Sequence, residues 1–391
     1  MGHARSRDGT VGRHLLLVGG GSVRPESGCW RTRTPIAAYV NELSRGFDSA
    51  TWLAQVESGR VGFAGEIAPT VRVLPLRPGL AGAPGNCWNA LRQARGNLYC
   101  MLFLPAAALL LPVVGVLQRA SRRTAVYLAG DFEHSLRQGR YRNWPGAVNA
   151  YRAGYEVPLR RASLVLARGA YLAEIARRFN PNVVETVPLA SLPGNEAFGP
   201  PGAQQTGPVR VLYVGKLSWS KGLDVLLESL PHLLSRHDPR GLEVHIVGDG
   251  ADAAAVRAKA ASMEFARSVT FHGWLEAGPL ADIFSRAHVV VVPSSSQTEG
   301  VPRVIEEAVT RGVPVIATRV GGVSREFPDG EICLVDPRDH LQLAQAIDAV
   351  LFDPEVRRRF IEGAQRRAKR WRGKETAAGQ HLRLLLDPGT V

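Results

Sequence analysis

The chain of 391 residues reads as an α/β protein of two domains, each built on a parallel sheet. Three observations carry this. Two stretches open as strand, turn and helix: His14–Val18 runs into Gly19, Gly20 and Gly21 ahead of a helical pattern at Ile36–Leu43. Val209–Val214 likewise runs into Gly215 ahead of a helical pattern at Leu223–Leu234. Between them, Pro188–Gly207 holds four prolines and four glycines among polar residues, the composition of a linker.

After that linker the alternation is regular. Strands are expected at Val244–Val247, Val269–Phe271, Val289–Val292 and Val315–Ala317. Helices are expected at Asp252–Met263, Leu280–Ala287 and Pro302–Arg311, the last with proline in its first turn. Strands alternating with helices imply right-handed crossovers and a parallel sheet, whose ligands bind at the carboxyl ends of the strands. The expected divisions are a flexible N-terminus at 1–13, a first domain at 14–195, a linker at 196–207 and a second domain at 208–365. A C-terminal helical segment at 366–391 is a candidate for crossing back to the first domain.

Composition sets the class. Hydrophobic residues make up 45%, charged residues 21% and aromatics 7%, as in a globular rather than a disordered chain. Cys29, Cys87, Cys100 and Cys333 form no CxxC pair and fit neither a disulfide framework nor a zinc site, so a reducing, cytoplasmic setting is expected. The polar start Met1–Arg13 is followed by no apolar run long enough for a signal peptide.

Net charge is +13 and unevenly placed: residues 1–205 hold 24 arginines, no lysine and 12 acidic residues, whereas 206–391 are nearly balanced. A basic first half points to an anionic partner, such as a membrane surface or a phosphorylated acceptor. A general preference for arginine accounts for the total better than for the skew. Nucleic acid is a poor candidate, because no binding motif or basic stripe with interleaved aromatics is present.

Leu98–Leu117 is 20 residues without a charge. Its length would span a bilayer. Pro105 and Pro112 favour instead a buried strand at Leu98–Leu104, then a helix, with Val126–Leu128 as the next strand. A peripheral membrane contact is the other reading.

The chemistry centres on Thr298–Glu307. Glu299 falls in a loop at the carboxyl end of the strand Val289–Val292, and Glu307 about one and a half turns into the next helix, so both can reach one crevice. Carboxylates accept hydrogen bonds from sugar hydroxyls and are poor partners for phosphate. Phosphates need cations, and Lys216 and Lys221, two of only five lysines, follow the strand Val209–Val214 and open a helix. Two cations there would stabilise a departing diphosphate. Glu306 reads as a solvated neighbour, and Asp131 with Glu133 only superficially resembles a metal-binding pair.

The runs VGKLSWSKGLDVLLESL, LEVHIVGDG, SVTFHGWL, AHVVVVPSSSQTEGVPRVIEEAV and GVPVIATRVGGVSREFPDG hold their order over about residues 209–345. In these runs the chain resembles the GT-B glycosyltransferases of family 4, retaining enzymes that use nucleotide-sugar donors. The resemblance implies two Rossmann-like domains whose parallel sheets face across a cleft. It implies that Glu299 bonds sugar hydroxyls, Glu307 holds the ribose, and Lys216 and Lys221 grip the diphosphate, with Glu299, Lys221 and Lys216 as the catalytic set. Lysine replaces the family's usual arginine at Lys216, keeping the charge but not the planar fork. Gly248 and Gly250 would turn close to the ligand, the backbone of Gly273, Trp274 and Leu275 would face the base, and Thr298 and Gly300 would also be donor-binding. In the first domain Gly28 stands where the family has a glycine pair near the phosphates, although Cys29 follows it, and Arg31, Arg33 or Gly19–Gly21 could serve instead. Asp131, His134 and Arg168 are the candidate acceptor or cleft residues.

The resemblance further implies no metal and no cofactor beyond a UDP- or GDP-sugar donor. The expected reaction moves a hexose to an acceptor hydroxyl with retention of configuration, without Glu299 as a nucleophile. The expected acceptor is lipid-linked or a glycan, in cell-surface polysaccharide or glycolipid synthesis on the inner face of the membrane. The competing reading is a soluble small-molecule acceptor, and more distant ones are a non-catalytic sugar-binding or nucleic-acid-binding protein.

Overall fold

The computed structural model describes residues 12–57, 63–76, 97–104, 111–130, 145–186, 207–236, 241–295, 300–327, 330–371 and 375–387. The chain divides into two compact units, Met1–Leu189 with Glu375–Val391, and Ala190–Lys374.

The strands of the first unit are, in chain order, β1 (His14–Glu26), β2 (Cys29–Thr32), β3 (Ser49–Val56), β4 (Gly65–Glu66), β5 (Val71–Leu76), β6 (Leu98–Leu104), β7 (Arg123–Leu128), β8 (Leu164–Arg168) and β9 (Val183–Thr186). Seven run parallel, in the order β5-β3-β1-β6-β7-β8-β9. β2 and β4 add antiparallel pairings at the far end of β1.

β6 lies between β1 and β7, and all seven of its residues are buried. Leu98, Cys100, Leu102 and Leu104 meet Val114, Leu117 and Leu159 on one face. Tyr99, Met101 and Phe103 meet Tyr39, Val40 and Leu43 on the other. A strand covered on both faces must be apolar throughout, which explains its charge-free sequence. Among the described residues no helix is long and apolar enough to cross a membrane.

The glycine run behaves differently from the strand end expected of it. β1 continues through Gly19–Gly21 to Glu26, and its pairing register with β3 shifts between Val18 and Ser22. Gly19 and Gly20 take φ of 80° and 87°, conformations open to glycine at little cost. The kink turns the Gly19 carbonyl to accept the Trp52 indole N–H at 2.7 Å, and Gly20 lies against the Phe103 ring. Only after the β1–β2 hairpin does the helix Thr34–Ser44 begin, with proline in its first turn.

The helix Ala377–Leu386 belongs to the first unit. Ala377, Ala378, Leu384 and Leu385 enter its core. His381 is fully buried, with Nδ1 2.7 Å from the Tyr39 hydroxyl. The preceding helix, Pro354–Trp371, belongs to the second unit. The expected linker falls almost entirely at 187–206, outside the described residues.

The second unit holds β10 (Val209–Val214), β11 (Leu242–Val247), β12 (Val269–Gly273), β13 (Val289–Val292), β14 (Val315–Thr318) and β15 (Cys333–Val335). All pair in parallel, in the order β12-β11-β10-β13-β14-β15. Numbered within the unit this is 3-2-1-4-5-6. The direction of winding therefore reverses between β10 and β13, and that reversal opens a crevice at their carboxyl ends. Val289 and Val291 pack against Leu223, Leu226 and Leu230 on one side, and Val290 and Val292 against Phe284, Ile305 and Val309 on the other.

Candidate functional site

The loop after β10 is built from backbone contacts between neighbouring strand ends. Gly215 N–H donates to Val247 O at 3.0 Å, Leu217 N–H to Asp249 O at 3.0 Å, and Gly248 N–H to Gly273 O at 2.7 Å. A β-carbon on Gly248, where φ is 131°, would overlap the Gly215 carbonyl, and one on Gly250 would overlap that of Leu217. The room these two glycines leave is thus taken by the loop that carries Lys216. The Tyr213 hydroxyl donates to the Lys216 carbonyl at 2.9 Å and holds that loop from below.

Lys216 is exposed, and Lys221 is partly buried at the end of the short turn Trp219–Lys221. The turn is anchored by Trp219 N–H, which donates to the Asp252 carboxylate at 3.0 Å. Burial, and then the positive charge of Lys216, lower the Lys221 pKa from 10.5 to about 8. Two cations held together with one partly desolvated form a site that gains when an anion enters. The helix Leu223–Leu234 starts directly after this turn, with its amide-rich end adding to the positive field.

The same turn is locked to the end of β13. Gly222 has φ of 73°, and a β-carbon there would overlap the Pro293 carbonyl. Ser295 N–H donates to Ser220 O at 3.1 Å, the hydroxyls of Ser294 and Ser295 reach the same oxygen at 3.3 Å, and the Thr318 hydroxyl donates to Ser294 O at 2.5 Å. Lys221 therefore sits at the point where winding reverses, beside Pro293, Ser294 and Ser295, which follow β13. Thr298 and Glu299 lie outside the described residues. Gly300 is buried, and its carbonyl accepts from Gly322 N–H at 3.3 Å.

The helix Arg303–Thr310 follows, with Pro302 at its cap. Glu307 is half-buried, and its charge acts on Arg311, whose guanidinium is otherwise disfavoured by burial. Glu306 is not the solvated neighbour expected. It is 3% exposed, because the helix turns it inward with Ile305 and Val309. A carboxylate in the first turn is favoured by the helix dipole.

Gly273, with φ of 67°, ends β12, and no atom would meet a β-carbon there. Trp274 is 40% exposed, and Leu275 packs on the core beside β13. In the first unit Gly28 takes φ of 85° next to Ser27 at 49°, at the tip of the β1–β2 hairpin, the pattern of a tight hairpin turn. Arg31 pairs with Glu26 at 3.3 Å. Arg168 ends β8 and is 9% exposed. Asp131, Glu133 and His134 lie outside the described residues. Among the described residues no three His, Cys, Asp or Glu side chains cluster as a metal site would require.

The sequence reasoning missed Gly222, Ser220 and Asp252, which fix the lysine turn. Glycine directly after Lys221 was the available signal for the first. The other two act through contacts 33 and 75 residues apart in the chain, which local pattern does not display.

A lysine-bearing turn at the reversal point of a 3-2-1-4-5-6 sheet falls inside the segment 197–367, which matches the family model for glycosyl transferases group 1. The chain is 29% identical over 257 residues to a glycogen synthase of Mycobacterium tuberculosis, covering 63% of this chain and 61% of that protein. It is 34% identical over 175 residues to a D-inositol 3-phosphate glycosyltransferase of Arthrobacter, covering 44% of this chain and 41% of that protein. These alignments span between about two fifths and three fifths of the curated relatives' length. Among solved structures, Anabaena HepE in complex with UDP superimposes with a TM-score of 0.70 at 16% identity, over 96% of this chain and 99% of that one. Sucrose-phosphate synthase from Thermosynechococcus elongatus gives 0.69 at 20% identity, over 96% and 99%. The fold is GT-B.

Proposed function

We propose that the protein is a retaining glycosyltransferase of family 4 that moves a hexose from a nucleotide-sugar donor to an acceptor hydroxyl. The observation that carries this reading is the lysine pair at the reversal point between β10 and β13, with Lys221 lowered to about 8 by burial and by Lys216. A diphosphate relieves that repulsion, and the two ammonium groups stabilise the charge that grows on it as the glycosidic bond breaks. Glu307 holds the ribose and Glu299 the sugar hydroxyls, while Gly273–Leu275 offer backbone and an exposed indole to the base. The protein's part is positioning and electrostatics, and attack comes from the face the diphosphate leaves. UDP complexes and a UDP-glucose complex of HepE support a UDP-sugar as the first donor to try.

The acceptor is a lipid-linked or glycan molecule at an anionic membrane surface, and the reading rests on the 24 arginines of residues 1–205. The alternative is a soluble small-molecule acceptor, for which the D-inositol 3-phosphate in one relative's name is the first to try. Membrane fractionation at low and high salt separates these: salt-sensitive sedimentation with membranes is expected, and full solubility at low salt favours a soluble acceptor. Donor use is tested by thermal shift against UDP-, GDP-, ADP- and TDP-sugars. One of them should raise Tm in the wild type and not in Lys221→Ala, and no shift with any would count against the donor assignment.

A further inference from the structure

The first unit carries a pocket of about 520 Å³ at the amino ends of its parallel strands, the edge opposite the one at which such sheets bind their substrates. Tyr99 is the second residue of β6, Arg123 opens β7 with Arg122 before it, Ser163 immediately precedes β8, and Asn182 immediately precedes β9. Leu385 and Leu386, from the helix Ala377–Leu386, complete the wall. The volume falls in the range of small-molecule sites.

The polar part of this wall is rich in donors. Arg122 and Arg123 bring two guanidinium groups. The Ser163 hydroxyl accepts the Thr124 N–H at 3.2 Å, which leaves its own proton to give. Asn182 uses one amide hydrogen on Ser163 O at 3.4 Å and keeps a second. Arg123 donates to Leu385 O at 3.4 Å, so the terminal helix holds it against the pocket. Among the described residues no carboxylate lines the cavity. Burial disfavours the Arg123 charge, and Tyr99 and then Asp387 act in the opposite direction. Leu386, half-buried, supplies apolar surface, whereas Leu385, buried in the core, offers its backbone carbonyl.

We propose that this pocket binds a phosphate monoester, with the phosphate between Arg122 and Arg123 and the carbon skeleton against Leu386. Guanidinium groups beside hydroxyl and amide donors match three phosphate oxygens, and the apolar surface of Leu386 favours an organic ester over inorganic phosphate. Bound there, the ester would tie the terminal helix to four strand starts of the same sheet. The site is separate from the lysine turn of the second unit and does not depend on the donor reading.

The test is titration calorimetry of the full chain with phenyl phosphate, inorganic phosphate and phenol, with sedimentation on phosphatidic acid vesicles as a second arm. Phenyl phosphate should bind more tightly than inorganic phosphate, and phenol should not bind. Arg122→Glu, at an exposed position, should weaken phenyl phosphate by about tenfold or more while leaving nucleotide-sugar binding unchanged. Vesicle binding that is lost in Arg122→Glu, without phenyl phosphate binding, would assign the phosphate to a lipid headgroup instead of a free metabolite. No binding in either arm, or the same binding in Arg122→Glu as in the wild type, would overturn the proposal. Ser163→Asp, which sets a carboxylate in the wall, repeats the test without removing an arginine.

Discussion

Gly222 lies so close to the carbonyl of Pro293 that a β-carbon has no place between them. This contact joins the turn bearing Lys221 to the loop leaving β13, and with it the two sides of the crevice where the sheet reverses. Gly222→Ala meets both the overlap and a φ of 73°. It should lower stability by at least about 2 kcal/mol and weaken donor binding further than that loss alone explains. Urea unfolding and thermal shift with donor measure the two effects. A variant as stable as the wild type with unchanged binding would show that the contact does not position Lys221.

The lysine pair sets a pH dependence. In the free protein Lys221 loses its proton near pH 8. A bound diphosphate favours the charged form, so above that pH binding must take up a proton. Donor affinity should be flat below pH 8 and fall by up to about tenfold per pH unit above it. Calorimetry in two buffers of different ionisation enthalpy at pH 8.5 reports the uptake directly. Constant affinity up to pH 10 would remove Lys221 from the diphosphate.

Glu307 is half-buried and its backbone carbonyl accepts from Arg311 at 2.9 Å. Glu307→Gln keeps the shape and removes the charge. It should raise the donor Kd by about tenfold and leave Tm within a degree or two of the wild type. Unchanged Kd for the donor and for the free nucleoside diphosphate would take Glu307 out of the site.

Three buried histidines predict acid sensitivity. Burial pushes His14 and His288 down to about 4 and His381 to about 3. His288 Nδ1 accepts the Arg210 N–H at 3.1 Å, which requires the neutral ring. The unfolded chain takes up these protons near pH 6.5, before the folded one does. Stability present above pH 6.5 is therefore lost as pH falls toward 4, at about 1.4 kcal/mol per pH unit for each histidine. Equal unfolding midpoints at pH 7 and pH 4.5 would contradict this.

Much of the second unit was readable because its signals are local. Val289–Val292 is apolar at every position since both of its faces are covered, and Gly215 and Gly248 mark the strand ends. The strand Leu98–Leu104 was legible for the same reason. The first unit was harder. Gly19–Gly21 look like the end of a strand, yet the Trp52 indole and the Phe103 ring, from elsewhere in the sheet, hold them as a kink within β1. Glu306 looks solvated beside Glu307, and only the orientation of the helix, set by Ile305 and Val309 against the core, turns it inward. The pocket at Arg122 and Arg123 arises where five separate segments meet, and no run of residues announces it.

The most direct test of the central claim is calorimetric titration of the wild type and of Lys221→Ala with the nucleotide sugar that shifts Tm most, paired with initial-rate transfer. The wild type should bind it. Lys221→Ala should bind at least about tenfold more weakly and turn over about 10² to 10³ more slowly, at a Tm close to that of the wild type. A Lys221→Ala protein that stays folded, binds the donor as the wild type does and transfers at the same rate would contradict the account.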